Sequence, residues 1–412
     1  MQSLLKISQQ TFWQLIGKLV ASVSTFVVLG IVARNYGESG TGLFTLALTY
    51  LAIFFQLVDF GFNAHLLGQV HGSSERLKEV RKLLGVRLVW ALLLIILAVG
   101  LLPFWPFATP EFSRAVILGS ISIVGFGIFT STNLVFQSKL AYERVVIASS
   151  LGALAYLGLI IWWANLKLSS PTLLLAQGLQ WLATSFLALL LLKKFLKNIT
   201  PLFDLNYFGG LLKDSWPIAA TLGLNIIYFR SDAFIISYFK GPSDVGIYNS
   251  AYQVFQTVLV LPAFIMNSYY PLMLTSLKAQ MGSFLKQIKL AAVSLLGLAL
   301  LSTITTYLLS PWIMQTLTGG GFAGASESLQ VLSLGFPAFF VTALLIWYFI
   351  AKNYYKLTLL IYSLGLIFNL IANLLFIPQG SFIAASWVTV ISEYLILALQ
   401  LVSLLFIKGL RI

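Results

Sequence analysis

Five charged side chains lie within long apolar stretches of this 412-residue chain, where an ionised group is costly and calls for an explanation. They are Lys18, Asp59, Arg230, Asp232 and Glu393. A lysine attracts a phosphate as a point charge, and the planar guanidinium of an arginine can donate paired hydrogen bonds to phosphate oxygens. A carboxyl group in apolar surroundings favours its protonated form and can therefore carry a proton. The pattern predicts anion binding, proton or cation coupling, or buried structural ion pairs.

Four of these five charges, Lys18, Asp59, Arg230 and Asp232, leave alternatives open. Lys18, about two turns into the first apolar stretch, can bind an anion or extend to the membrane surface. Arg230 lies too deep for that, so its alternatives are substrate contact or gating, against a buried pair with an acid of another helix. Asp59 lies at a depth similar to that of Lys18, and a structural Lys18–Asp59 pair is equally open. Asp232 is two positions from Arg230 and does not share its helical face.

The uncharged polar residues and Glu393 predict either coupling or helix contacts. Glu393 has apolar neighbours near the middle of the last apolar stretch, and it is either a proton or Na⁺ coupling site or a neutral hydrogen-bonded group. Asn369 and Asn373 are four apart on one helical face and are expected to bond neighbouring helices. Asn225 is a cavity candidate with the same ambiguity. With no cysteine and two histidines, we expect no catalytic residue, no metal site and no cofactor beyond a coupling ion.

These side chains require membrane-spanning helices to position them. Hydrophobic residues make up 59% of the chain and charged residues only 9%, whereas soluble proteins carry about 25% charged residues. Apolar stretches of roughly 20 residues match the ~30 Å hydrocarbon core of a bilayer, so an all-α integral membrane fold with about twelve transmembrane helices is predicted. The predicted spans are 11–33, 43–66, 84–105, 113–136, 147–166, 171–192, 216–239, 247–274, 289–312, 329–351, 356–377 and 382–407.

The basic residues predict an orientation. Of the 25 lysines and arginines, 19 fall on the side that holds both termini and four on the other side. The positive-inside rule then predicts a multi-pass protein of the cytoplasmic (inner) membrane of a prokaryote, with both termini cytoplasmic. The same bias accounts for the net charge of +13, so membrane lipids are expected as partners and nucleic acid is not.

An internal repeat predicts two halves. Four residues recur at a constant offset of 204, because Gly37, Gly42, Phe44 and Ala47 match Gly241, Gly246, Tyr248 and Ala251. The offset is close to half the chain, and it predicts two pseudo-symmetric six-helix lobes related as a parallel repeat. The expected division is an N-lobe over 1–192, a cytoplasmic linker over 193–215 and a C-lobe over 216–412.

Three stretches carry a family resemblance. They are Ala33-Arg34-Asn35-Tyr36-Gly37 with Gly42, Phe44 and Asp59-Phe60-Gly61; Tyr228-Phe229-Arg230-Ser231-Asp232 with Gly241, Gly246, Tyr248, Ala251 and Pro271; and Asn369, Asn373, Ile377-Pro378, Ala384-Ala385 and Ser392-Glu393. In this order they resemble the oligosaccharide (Wzx-type) flippases, the polysaccharide biosynthesis export family. That family belongs to the multidrug/oligosaccharidyl-lipid/polysaccharide exporter superfamily, together with lipid II flippases and multidrug/toxin-extruding antiporters.

The resemblance implies a fold like that of MurJ and MATE proteins and a function. The expected function is translocation of a polyprenyl-pyrophosphate-linked oligosaccharide from the cytoplasmic to the outer leaflet by alternating access. The substrate-binding or cavity candidates are Lys18, Asp59, Arg230, Asp232 and Asn225. The protein would act as a monomer, with polysaccharide-assembly enzymes as further partners.

Two alternatives remain. Acids outnumber bases among the five embedded charges, which suits a cation-coupled multidrug or lipid II exporter of the same superfamily. A membrane polysaccharide polymerase or glycosyltransferase would need acid–base or metal-binding residues on accessible loops. The outer loops hold few carboxylates and no acidic pair of the metal-binding type, so we do not expect an enzyme.

Overall fold

A computed structural model of the protein describes residues 2–70, 77–106, 108–196, 198–279 and 281–409. Within these ranges the chain is helical and contains no strand. The helices are α1 (Gln2–Asp59), α2 (Phe62–Val70), α3 (Leu77–Gly100), α4 (Pro110–Gly119), α5 (Ile121–Ser138), α6 (Tyr142–Asn165), α7 (Leu173–Leu192), α8 (Leu205–Lys240), α9 (Pro242–Val258), α10 (Val260–Ala279), α11 (Met281–Thr318), α12 (Ala325–Ser333), α13 (Phe336–Ala351) and α14 (Tyr355–Gly409).

The helices confirm the predicted all-helical membrane fold. Among the described residues, 8 helices are long and apolar enough to cross a membrane, or 9 if α12 and α13, bent by 43°, form one broken span. The candidate stretches within α1 and α14 are 56 and 52 residues long, and each can cross twice because one span needs only about 20 residues. Non-helical residues, Gly37 in α1 and Ser381 in α14, divide them. Each predicted span falls on one helix or on a broken pair.

The sequence repeat is also a repeat of backbone structure. Gly37 has φ 65° and ψ −168°, and Gly241 has φ 87° and ψ −176°. Residues with a side chain rarely adopt this conformation, so glycine is required at both positions. The aromatic residues that follow, Phe44 and Tyr248, are both buried. A sharp break before a buried aromatic residue therefore opens the second span of each half.

The chain divides into two compact units, Met1–Arg230 and Ser231–Ile412. In the first unit α1 packs on α6, and α5 packs on α3 and α7. In the second unit α11 packs on α10, α12 and α13, and α13 packs on α14. The division falls inside α8, and residues 205–215, which the sequence assigns to the linker, form the first turns of that helix.

An apolar core holds the start of α8 in the first unit. Buried Phe62, Leu83, Phe136 and Leu192, from four different helices, pack in one cluster with Leu211 of α8. Phe208 of α8 also packs against this cluster. The first turns of α8 are therefore a packed part of the first unit.

Candidate functional site

The first half of α1 has three different faces. One packs on α6, where a Cβ added to Gly17 would lie 2.9 Å from Val146 Cγ2. A second is exposed and apolar, and its members are Phe12, Leu15, Leu19, Val23 and Val27. The third is exposed and polar, and it carries Gln14, Lys18 and Thr25. These three residues are four and seven positions apart and so form one stripe along the helix.

The polar stripe of α1, defined by Gln14, Lys18 and Thr25, suits an aqueous cavity. Lipid cannot hydrogen-bond to polar side chains, so an exposed polar face on a spanning helix must meet water or a polar ligand. The exposed apolar face of the same helix suits lipid. The Thr25 hydroxyl donates to the Ala21 carbonyl oxygen at 2.9 Å, which leaves its oxygen able to accept a further hydrogen bond. The stripe thus combines one cation with uncharged hydrogen-bonding groups.

Arg230 offers a second cation. It is half-buried in α8, and it forms no hydrogen bond or ion pair with any other residue that the structure describes. The pair with an acid of another helix, one of its two predicted alternatives, is therefore not observed within those residues. Asn225 is exposed on the same helix, but five positions away it lies on a different face. With respect to the described residues, all donors of the Arg230 guanidinium are available for an anion.

Asp232 lies in the interior of the second unit. It is 3% exposed, its Oδ1 accepts from the Ala233 backbone N–H at 2.8 Å, and its Oδ2 accepts from the Tyr248 hydroxyl. The hydroxyl oxygens of Tyr248 and Thr389 are 3.4 Å apart. At the repeat offset, Asp232 and Tyr248 correspond to Val28 and Phe44, which are apolar and buried. The first half therefore has an apolar pair where the second half has this acid and its phenol.

Glu393 and the two asparagines are buried in the second unit. Glu393 of α14 is 2% exposed and accepts a hydrogen bond from the Thr342 hydroxyl of α13. Asn373 Nδ2 donates to Asn369 Oδ1 at 3.0 Å, and Asn369 Nδ2 donates to Ser392 Oγ at 3.1 Å. Asn369 precedes the break at Ser381 and Ser392 follows it, so this chain of bonds joins the two parts of α14.

Asp59 has a partner other than Lys18. Arg87 Nη2 lies 2.8 Å from Asp59 Oδ1, and Arg87 Nη1 donates to Ser131 Oγ at 3.3 Å. The Arg87 side chain is 0% exposed. By the positive-inside count Arg87 belongs to the basic residues of the predicted cytoplasmic side, and the structure buries its side chain in an ion pair. The sequence feature that indicates this burial is the position of Arg87 within the apolar run 83–90.

The same pair stabilises a break in the chain after α1. Phe60 and Gly61 have positive φ values of 49° and 73°, so the helix does not continue into α2. Trp90 Nε1 donates to the Leu57 carbonyl oxygen at 2.7 Å, and Arg87 Nη2 lies 3.5 Å from the Asp59 carbonyl oxygen. Side chains of α3 therefore bind carbonyl groups that the interrupted helix leaves without partners.

Two other side chains that could bind an anion or a proton have partners of their own. Arg81 donates to the Thr200 carbonyl oxygen and hydroxyl. His65 Nε2 is 4.0 Å from Asp214 Oδ2. Arg76 and His71 lie outside the described residues. The repeat singles out Tyr248 but does not predict that it binds Asp232, and the sequence gives no signal for Thr342 and Thr389 because a lone hydroxyl in an apolar helix has no characteristic spacing.

Comparison with solved structures identifies the fold of this protein. It is similar to a structure described as "Lipid II flippase MurJ, inward closed conformation", with a TM-score of 0.79 and 14% identity over 96% of this chain and 87% of that one. An inward-facing multidrug resistance MATE family transporter of the MOP superfamily gives a TM-score of 0.73 and 15% identity over 95% of both chains. A MOP superfamily transporter from Pyrococcus furiosus gives 0.63 and 15%, over 99% of this chain and 96% of that one. The chain has the fold of MOP superfamily transporters.

The family follows from the sequence itself. The profile of the family described as "Polysaccharide biosynthesis protein" matches residues 7–277. This protein belongs to that family, as its resemblance predicted. No curated protein matches the chain.

Proposed function

We propose that this protein is a flippase that moves a polyprenyl-pyrophosphate-linked oligosaccharide from the cytoplasmic to the outer leaflet by alternating access. The observation that carries the proposal is the polar stripe of α1, where Lys18 stands between Gln14 and Thr25 on an exposed face of a spanning helix. Membership of a polysaccharide biosynthesis family supports this substrate class. The fold supports it too, because one similar structure is named a lipid II flippase.

The chemistry of the substrate matches these groups. The pyrophosphate is anionic and suits the Lys18 ammonium and the Arg230 guanidinium. The sugar hydroxyls suit uncharged donors and acceptors such as Gln14, Thr25 and Asn225. The polyprenyl tail can stay in lipid while the headgroup passes through the polar path, so the protein need not bury the tail.

The distribution of charge favours an anionic substrate over a cationic drug. Arg87 neutralises Asp59, which removes the excess of acids that supported a multidrug exporter. Asp232 and Glu393 are both buried and hydrogen-bonded to hydroxyl groups. Lys18 is exposed and Arg230 is half-buried, and neither takes part in the Asp59–Arg87 pair.

We further propose that transport is coupled to a proton or Na⁺ through Glu393. The buried carboxyl accepts a hydrogen bond from the Thr342 hydroxyl. A carboxyl group in such surroundings can alternate between a protonated and an ion-bound form at modest cost, because hydroxyl groups serve both as donors and as acceptors.

Reconstitution tests the proposal. Purified protein in vesicles is given a fluorescent polyprenyl-pyrophosphate oligosaccharide in the inner leaflet, and its appearance in the outer leaflet is followed with an impermeant quencher. We expect protein-dependent transfer that Lys18→Ala reduces. A matched control is Lys240→Ala, because Lys240 is exposed at the end of α8, outside the proposed site.

The rival functions give different results in the same vesicles. Absence of transfer with any lipid-linked glycan, together with proton-driven export of a cationic drug, would refute the flippase and establish the exporter. Transfer of lipid II alone would place the protein with the lipid II flippases. A lengthened or cleaved glycan, seen by mass spectrometry of the recovered lipid, would establish the polymerase or glycosyltransferase.

A further inference from the structure

A short segment before α8 is bound to α3 by several independent contacts. We call residues 198–204 the clamp. The Leu202 backbone N–H donates to the Arg81 carbonyl oxygen at 3.0 Å. Arg81 donates through Nε to the Thr200 carbonyl oxygen at 2.9 Å and through Nη2 to Thr200 Oγ1 at 2.6 Å. The Asn198 side-chain oxygen accepts from the Thr200 hydroxyl at 2.7 Å, which fixes the turn that presents Thr200 to Arg81.

Asp204 joins the clamp to both helices. Its Oδ1 accepts from the Tyr207 backbone N–H at 3.0 Å, which is the bond of a helix N-cap at the start of α8. Its Oδ2 lies 3.2 Å from Lys82 Nζ of α3. Lys82 Nζ is also 5.2 Å from the centre of the Tyr207 ring. One carboxylate therefore begins α8 and attaches that beginning to α3.

Gly85 makes this close approach sterically possible. A Cβ at this position would lie 2.1 Å from the Leu202 carbonyl oxygen and 2.6 Å from its carbonyl carbon. Such distances are far shorter than van der Waals contact distances, and backbone atoms cannot rotate away. Any residue larger than glycine must therefore push the clamp away from α3. Five residues after Gly85 on α3, Trp90 packs edge-on against Phe208 of α8, with ring centroids 5.7 Å apart. The clamp and the first turns of α8 thus share one continuous surface of α3.

We propose that the clamp keeps the first turns of α8 on α3 throughout the transport cycle, so that any movement of α8 begins beyond those turns. This rests on the proposed alternating-access function. A stretch of chain between two repeated halves would ordinarily be a flexible tether. Here the seven residues before α8 are instead held on α3 by a backbone hydrogen bond, a bidentate arginine, an ion pair and a glycine contact.

Cross-linking tests the proposal directly, because the chain contains no cysteine of its own. In the double variant Lys82→Cys with Asp204→Cys, a short bismaleimide replaces the ion pair by a covalent link while the Arg81 and Gly85 contacts remain. We expect efficient cross-linking in the membrane, and flippase activity equal to that of the same variant without the reagent. Loss of activity on cross-linking would overturn the proposal, because the clamp would then have to open during transport. Absence of cross-linking would overturn it as well.

A second pair of variants separates the clamp from the flippase function. Gly85→Val, added to the cysteine pair, should abolish the cross-link, whereas Gly100→Val should not, because a Cβ at Gly100 of the same helix meets nothing within 4 Å. If the protein proves to have no flippase activity, the proposed function fails on that ground alone. The clamp is then judged by these two variants, and equal cross-linking in both would refute it.

Discussion

At the scale of residues, surroundings decide what each embedded charge can do. Asp59 and Arg87 form an ion pair whose arginine is 0% exposed, so that guanidinium is not available to a substrate. Arg230, of the same residue type as Arg87, forms no bond within the described part of the chain. A guanidinium that has no acid among the described residues can donate its hydrogen bonds to an anionic ligand. A guanidinium in a buried ion pair instead stabilises the fold.

Arg230 should therefore be sensitive even to a conservative change. Arg230→Ala and Arg230→Lys should both weaken transport about ten- to a hundredfold, because the lost charge-assisted hydrogen bonds are worth ~1.5–3 kcal/mol and lysine cannot reproduce the planar fork. The measurement is the substrate concentration dependence of transfer in vesicles, with Lys240→Ala as control. Normal transport by both variants would mean that Arg230 serves packing.

The Arg87–Asp59 pair should behave as a structural unit. Arg87→Met leaves Asp59 without its partner and should destabilise the protein by about 3–5 kcal/mol, as expected when one member of a buried pair is removed. Replacing both, with Asp59→Leu added, should recover much of that loss because no charge then remains. Thermal unfolding of the detergent-solubilised variants measures both effects. A double variant no more stable than Arg87→Met alone would contradict the interpretation.

At the scale of elements, a spanning helix is defined by what each face touches. The exposed faces of α1 differ in chemistry, one with Gln14, Lys18 and Thr25 and the other wholly apolar. Since total hydropathy averages over both faces, it detects the span but not the stripe. Glycines also act locally. Gly37 and Gly241 permit the helix breaks that set the direction of the second span of each half.

The polar stripe of α1 should be reachable from water. Single cysteines at Gln14, Lys18 and Thr25 should react with a membrane-impermeant thiol reagent, since these positions share the polar face. Single cysteines at Leu15, Leu19 and Val23 should not react, because lipid covers that face and thiols ionise poorly there. Labelling of the cysteine-free chain in vesicles measures the difference. Equal reactivity of the two sets would rule out an aqueous path along this face.

The clamp should be insensitive to pH over the physiological range. The Tyr207 backbone N–H and the Lys82 ammonium hold the pKa of Asp204 below its ordinary value, so the stabilisation is present above that value and is lost only as pH falls through the lowered pKa. The neighbouring Tyr207 is in turn close to Glu79 and Arg87, and Arg81 is bound to Thr200 of the clamp. The reactivity of a cysteine at half-buried Ile199, relative to one at exposed Asn206, should be flat from about pH 8 to pH 5. A rise within that range would contradict the assignment, and Asp204→Asn should raise the ratio at every pH.

At the scale of the whole molecule, charge distribution and repeat organise the protein. The side that holds both termini carries 19 basic residues and the other side carries four. Because basic residues concentrate in cytoplasmic loops, we propose that both termini are cytoplasmic and that the protein resides in a prokaryotic inner membrane. The two repeated halves differ in chemistry. The buried Asp232–Tyr248 pair of the second half stands at the positions that Val28 and Phe44 occupy in the first half. The second half therefore carries buried acids on which coupling can act.

Coupling through Glu393 should be visible as a property of the whole transporter. Glu393→Gln keeps the hydrogen bond with Thr342 but cannot ionise, so transfer should no longer respond to an imposed proton or Na⁺ gradient. Glu327→Gln is the matched control, because Glu327 is exposed in the first turn of α12. Transfer is measured with each gradient imposed separately. An undiminished response in Glu393→Gln would show that coupling lies elsewhere.

The sequence by itself determined the membrane class, the helical spans and the family, because these follow from hydropathy, residue periodicity and ordered motifs that act over short distances. It also found the glycines of the repeat. Only the tertiary structure decided that Asp59 is bound to Arg87, that Arg230 is not bound within the described residues, and that residues 198–204 are held on α3. Partners of this kind lie 28 to 122 positions apart in the chain. Only packing brings them to within 3.2 Å of each other, and no local pattern in the sequence predicts these contacts.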